Sequence, residues 1–120
     1  MDGRPAVWIG HVTLSVSDVG RSASFWRSLG LREVETNEDI AVLELRGGTH
    51  LVLLPGEPQP AGQEPFDLMV DDLDATHANW SERSLPVGQV RRGRVHDSFQ
   101  LTDPDGYVVH VLSSHVVGAV

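Results

Sequence analysis

Six histidines carry most of the reactive chemistry available to this chain of 120 residues. All nine basic residues are arginines, and there is neither a lysine nor a cysteine. A Schiff-base lysine, a thiolate nucleophile, a Cys-ligated metal and a disulfide are therefore excluded. Imidazole, carboxylate, hydroxyl and guanidinium remain. Neutral imidazole is both the commonest metal ligand and a general base suited to neutral pH. A divalent site without cysteine must use nitrogen and oxygen donors, which suit Zn, Fe(II), Mn, Ni or Co.

Strand periodicity places four of the six histidines on one kind of surface. Side chains alternate across a strand. In His11-Val-Thr-Leu-Ser-Val16, apolar Val12, Leu14 and Val16 therefore oppose His11, Thr13 and Ser15. The same rule puts His50, Val52 and Leu54 on the open face of a later strand. It puts Asp67 and Met69 on another, His96, Ser98 and Gln100 on a third, and Val108, His110 and Leu112 on the last. His77 falls on a helix as a packing or surface residue, and His115 lies in a solvated tail. Arg91-Arg92-Gly-Arg94 reads as a solvated hairpin, with an anion clamp as the minor alternative. Trp26 and Trp80 read as packing residues, and Trp8 at the head of the first strand as packing, with a ligand platform as the minor alternative.

The elements that position these residues occur twice. Val16-Ser-Asp-Val19 is echoed by Val70-Asp-Asp-Leu73, and Asp18, Trp26 and Leu31 find partners in Asp72, Trp80 and Leu85 at a constant offset of 54 residues. Such self-similarity is the mark of a duplicated supersecondary unit. In the first copy a strand leads to an Asp18-capped helix over about 19–29, closed by Gly30. Strands follow at about 31–36, 39–46 and 49–55. In the second copy a strand at 66–70 leads to a helix from Asp72 to about Ser84. Strands follow near 86–91, 95–102 and 106–113, the last two joined by Asp103-Pro-Asp-Gly106.

The fold class is α+β: two tandem βαβββ modules forming a curved mixed sheet around a cavity, with one helix per module on the outer face. Residues 1–120 form a single domain, with module 1 at about 7–55, a Pro/Gly-rich linker at 56–65 and module 2 at about 66–114.

A formal charge of −8 and a pI near 5.0 argue against nucleic acid and anionic membrane as partners, since both need a cationic footprint. Such a charge suits a cationic guest. No apolar run approaches the roughly 20 residues of a membrane span. The opening Met-Asp-Gly-Arg lacks the apolar segment of a signal peptide, so the expected location is cytoplasmic.

His11-Val-Thr-Leu-Ser-Val-Ser-Asp18, Phe25-Trp-Arg-Ser-Leu-Gly-Leu31 and Asp103-Pro-Asp-Gly-Tyr-Val-Val-His110 resemble the vicinal oxygen chelate superfamily of glyoxalases, bleomycin-resistance proteins and extradiol dioxygenases. The resemblance covers about residues 7–114. It implies a divalent metal ion (Zn, Ni, Mn or Fe(II)) held by the first and last strand of each module, and a homodimer. His11 and His110 match ligand positions. Pro65 and Val52 stand where the other two ligands are expected, and His50 could replace Val52 with a local shift.

Two readings follow. One is a divalent-metal-dependent enzyme acting on a small molecule with vicinal oxygens, of lyase, isomerase or dioxygenase type. Its metal ligands would be His11, His110 and His50. His96 or Gln100 would orient substrate or move protons, and Thr13, Ser15, Met69, Ser98 and Leu112 would line the substrate site. The other is a metal-free protein of the bleomycin-resistance type that sequesters a small molecule or antibiotic.

Overall fold

The computed structural model describes residues 3–116 and 119–120. The chain divides into two compact units. The first runs to Gln59, and the second spans Pro60–Val116.

In the first unit β1 (His11–Val16) is followed by α1 (Val19–Ser28), β2 (Arg32–Thr36), β3 (Ala41–Glu44) and β4 (His50–Pro55). The sheet order is β1-β4-β3-β2, with β1 parallel to β4 and the other pairs antiparallel. The parallel pair requires the chain to cross over, and α1 makes that crossing. Asp18 caps α1 by accepting the Arg21 amide at 3.0 Å. At its exit Gly30 takes φ +112°, which a glycine adopts without steric cost. Leu14, Val16, Ala41, Leu43, Leu51 and Leu53 are buried on the side that meets Val19, Ala23 and Trp26 of the helix. The alternate residues form the open face, as the strand periodicity predicts.

The second unit repeats the plan with β5 (Leu68–Val70), α2 (Leu73–Glu82), β6 (Ser98–Thr102) and β7 (Val108–Ser113). Its strands run in the order β5-β7-β6, β5 parallel and β6 antiparallel to β7. Asp72 caps α2 through the Ala75 amide at 2.9 Å. Trp80 stands edge-on to Phe99, with ring centroids 5.8 Å apart, over a core of Leu73, Leu101, Tyr107, Val109 and Val111. Each module is thus a mixed sheet with one helix.

Two expectations fail here. The strand expected at 86–91 is reduced to isolated bridges, Val87 with Leu101 and Arg91 with Ser98. Pro86 accepts the Thr102 amide at 3.0 Å but has no N–H to return, and the Gly88 amide reaches the Gln100 carbonyl at 2.8 Å, so contact with β6 is kept as separate bonds and not as a full ladder. Trp8 lies ahead of β1 and is 68% exposed, so it takes no part in the core of its unit. Trp26 and Trp80 are buried as expected.

Candidate functional site

The open face of the first unit is built in cross-strand rows. His11 of β1 pairs with His50 of β4, His50 with Glu44 of β3, and Glu44 with Arg32 of β2. One row therefore carries a histidine pair, a carboxylate and a guanidinium across all four strands. The His11 and His50 ring centroids are 5.7 Å apart. His50 Nε2 lies 3.1 Å from Glu44 Oε2, and Glu44 also pairs with Arg32. A carboxylate accepts, so it holds the Nε2 proton of neutral His50 and leaves Nδ1 as the free lone pair. The next row sets Thr13 beside Val52, and the third sets Ser15 beside Leu54. Thr13 and Ser15 are exposed at their positions on this face.

The second unit has its own rows. Met69 of β5, Leu112 of β7 and Ser98 of β6 are in register, so three residues expected to line a substrate site share one row. Gln100 and His110 form the adjacent pair, with Gln100 exposed and His110 half-buried. Glu64 reaches this row from outside the sheet. Its Oε1 accepts the His110 amide at 2.5 Å and lies 3.0 Å from Nδ1 of the same residue. The contact fixes the Nδ1–H tautomer of neutral His110 and leaves Nε2 with its lone pair. β5 begins only at Leu68, and its register partner is Val111. The Glu64 side chain thus supplies an acceptor to β7 just beyond the end of β5.

His96 precedes β6 rather than lying in it, so strand alternation does not govern its direction. Its Nδ1 is 2.7 Å from the Ser113 carbonyl oxygen, and its ring faces that of His115. His77 bonds the Gly88 carbonyl at 2.8 Å and stands edge-on to Phe99, which is the packing role its helix position predicts. In the Arg91–Arg94 run, Arg92 forks onto Asp74 at 2.8 and 3.1 Å and reaches Asp97 at 3.0 Å. These carboxylates hold its guanidinium well above the usual arginine value and commit it to the loop. Arg92 in turn holds the Asp74 carboxyl below the usual carboxylate range.

Two functional-looking groups, Glu44 and Glu64, escape the sequence reading. Glu44 was open to discovery, since the turn after β3 sets its register with His50. Glu64 was not, because its partner lies 46 residues away and it sits in a stretch without periodicity.

A resident divalent ion needs three or four nitrogen or oxygen donors from the protein. Pro65 offers no ligand atom, and Val52 offers only carbon. Among the described residues no three His, Asp or Glu side chains are gathered so as to hold a metal ion. The residues present do not fit the ion that the resemblance implies.

Across residues 8–111 the chain matches the Glyoxalase/Bleomycin resistance protein/Dioxygenase superfamily, and it belongs to that superfamily. No curated protein matches it. Three solved structures show how widely the fold is used. A lactoylglutathione lyase from Agrobacterium tumefaciens is 21% identical, with 92% of this chain and 96% of that one covered and a TM-score of 0.75. A bleomycin-binding protein from Streptomyces verticillus, complexed with copper(II)-bleomycin, is 23% identical over 93% of this chain and all of that one, at 0.72. TnmS3, an antibiotic-binding protein from Streptomyces sp. CB03234, is 22% identical over 92% and 98%, at 0.77. At these identities the likeness is one of fold, and fold alone does not carry a reaction.

Proposed function

We propose that this chain is a small-molecule-binding protein that takes a cationic guest on the open sheet faces of its modules, after the manner of the bleomycin-binding and antibiotic-binding members of the superfamily. The observation that carries this reading is the state of the ligand positions. Two are proline and valine, and the imidazoles of His50 and His110 are each engaged by a glutamate. What the faces do offer is a set of short polar and apolar side chains suited to gripping an organic molecule: Thr13, Ser15, Met69, Ser98, Gln100 and Leu112. A net charge of −8 favours a cation over an anion. The acting species is a homodimer of about 26 kDa, twice the 13.1 kDa chain, because half-polar open faces and the family habit both call for a partner.

Calorimetry with bleomycin, with and without Cu(II), tests the reading. Binding by chelator-treated protein is expected, with at least a tenfold loss in a Thr13→Ala/Gln100→Ala double variant. The reading is overturned if apo protein binds no guest and added Zn, Ni, Mn or Fe(II) instead produces a catalytic activity that His11→Ala and His110→Ala abolish. Sedimentation at micromolar concentration checks the dimer.

A further inference from the structure

Outside the open faces the second unit carries another pair of imidazoles. His96 stands before β6 and His115 follows β7, and their ring centroids are 4.8 Å apart with the planes inclined by 47°. A carbonyl oxygen only accepts, so the 2.7 Å contact from His96 Nδ1 to the Ser113 carbonyl fixes the proton on Nδ1. The Nε2 lone pair of His96 is therefore free. An imidazole oriented by a carbonyl on its other nitrogen is the arrangement that metal-binding histidines adopt. The Ser113 segment is itself anchored: its amide bonds the Asp97 carbonyl at 2.9 Å, and its hydroxyl accepts the Asp97 amide at 2.9 Å. His96 is thus held in place, while His115 is exposed.

The spacing agrees with shared coordination. With metal–nitrogen bonds of about 2.0–2.1 Å, and about 1.1 Å from nitrogen to ring centre, two rings on one ion at roughly 90–110° have centroids about 4.5–5.2 Å apart. The His96–His115 separation of 4.8 Å falls inside that range. The His11–His50 separation of 5.7 Å falls outside it, and there Nε2 of His50 already faces Glu44.

We propose that His96 and His115 form a two-imidazole site for a divalent transition ion of the Cu(II), Ni(II) and Zn(II) class. No third His, Asp or Glu joins them among the described residues. The nearby Asp97 carboxylate is occupied by Arg92 and the Gly93 amide. Water fills the remaining positions, and affinity follows the order of intrinsic nitrogen affinity, with Cu(II) bound more tightly than Ni(II) or Zn(II). Hard ions such as Mg(II), which prefer oxygen, do not compete. Occupation ties the segment that follows β7 to the one that precedes β6.

The test uses the full, untagged, chelator-treated chain titrated with Cu(II) and Ni(II) alone, followed by calorimetry and by Cu(II) electron paramagnetic resonance. One ion per chain, micromolar affinity and hyperfine splitting from two nitrogens are expected. His115→Ala should lose at least tenfold in affinity with its circular dichroism unchanged, while His11→Ala retains full affinity. His96→Ala should behave as His115→Ala does. If it fails to fold for want of the Ser113 contact, the exposed His115 decides alone. Absence of binding below millimolar ion, or full affinity in His115→Ala, overturns the site. Neither result bears on guest binding, which is read with bleomycin on chelated protein.

Discussion

The Glu64 carboxylate serves two donors on His110, the backbone amide and ring Nδ1, and so joins strand termination to imidazole chemistry in one contact. Glu64→Ala is expected to cost about 1–2 kcal/mol, the range for a partly exposed charge-assisted hydrogen bond. It should also release the tautomer. Imidazole nitrogen shifts of His110 should move away from Nδ1–H in the variant, while Glu64→Gln, whose amide oxygen still accepts, largely retains it. Asp103 presents the opposite case, a carboxylate with too few partners. It is 5% exposed, its Oδ1 accepts the Asp105 and Tyr107 amides at 2.9 and 2.8 Å, and its Oδ2 has no partner among the described residues. Burial holds its carboxyl above the usual carboxylate range, against the pull of the Tyr107, Asp105 and Gly106 amides. A raised carboxyl favours the protonated folded state. Its contribution is complete below the ordinary value near 3.8 and is lost as pH rises through the folded value. Asp103→Asn keeps an acceptor for both amides and removes the charge. Its stability relative to wild type should therefore improve between pH 4 and pH 7 in urea titrations, whereas Asp103→Ala should lose about 1–3 kcal/mol throughout.

At the scale of elements, the two helices close with different residues at equivalent positions. Gly30 follows α1 with φ +112°, and Ser84, 54 residues on, follows α2 with φ +58°. A left-handed conformation costs an L-residue about 1 kcal/mol or more, and a glycine almost nothing. A Cβ at Gly30 would meet nothing within 4 Å, so the penalty there is one of backbone torsion alone. Ser84→Gly should accordingly raise stability by about 0.5–1 kcal/mol and Gly30→Ser lower it by about 1–2 kcal/mol. In both variants the urea midpoint should move with the slope unchanged. The same comparison shows what the sequence made legible. The caps at Asp18 and Asp72, the buried Trp26 and Trp80, and the alternation in β1, β4, β6 and β7 all follow from neighbours a few residues apart. The full row His11–His50–Glu44–Arg32 needs the register of three strand pairs, of which only the Glu44–His50 pairing follows from a nearby turn. The thinning of the strand at 86–91 to two bridges turns on which of its amides and carbonyls meet β6, again a matter of pairing. The Glu64–His110 contact depends on a side chain from an aperiodic segment. Local rules thus revealed the scaffold and the facing residues, while the charged partners that decide what the histidines can do are set by long-range pairing.

For the whole molecule the dominant electrical fact is a charge of −8 on 120 residues, with every cation an arginine. Several of those arginines are bound to carboxylates: Arg27 to Glu33 at 2.9 Å, Arg32 to Glu44, and Arg92 to Asp74 and Asp97. Such exposed pairs add little to stability, but each cancels locally and leaves the unbalanced carboxylates to set the field at a distance. An acidic field of this kind acts on the approach of a guest more than on its retention, because attraction over tens of ångströms is screened by salt while contacts inside a complex are not. The screening length falls from about 10 Å at 0.1 M salt to about 3 Å at 1 M. Stopped-flow mixing with a cationic guest such as copper(II)-bleomycin should therefore show an association rate that drops roughly tenfold over that range, in line with the usual span of steering effects, with a nearly constant dissociation rate. A neutral guest of similar size should show no such slope. If the cation's affinity is instead insensitive to salt, or if its dissociation rate carries the change, the charge is not steering and the proposed recognition acts through short-range contacts alone.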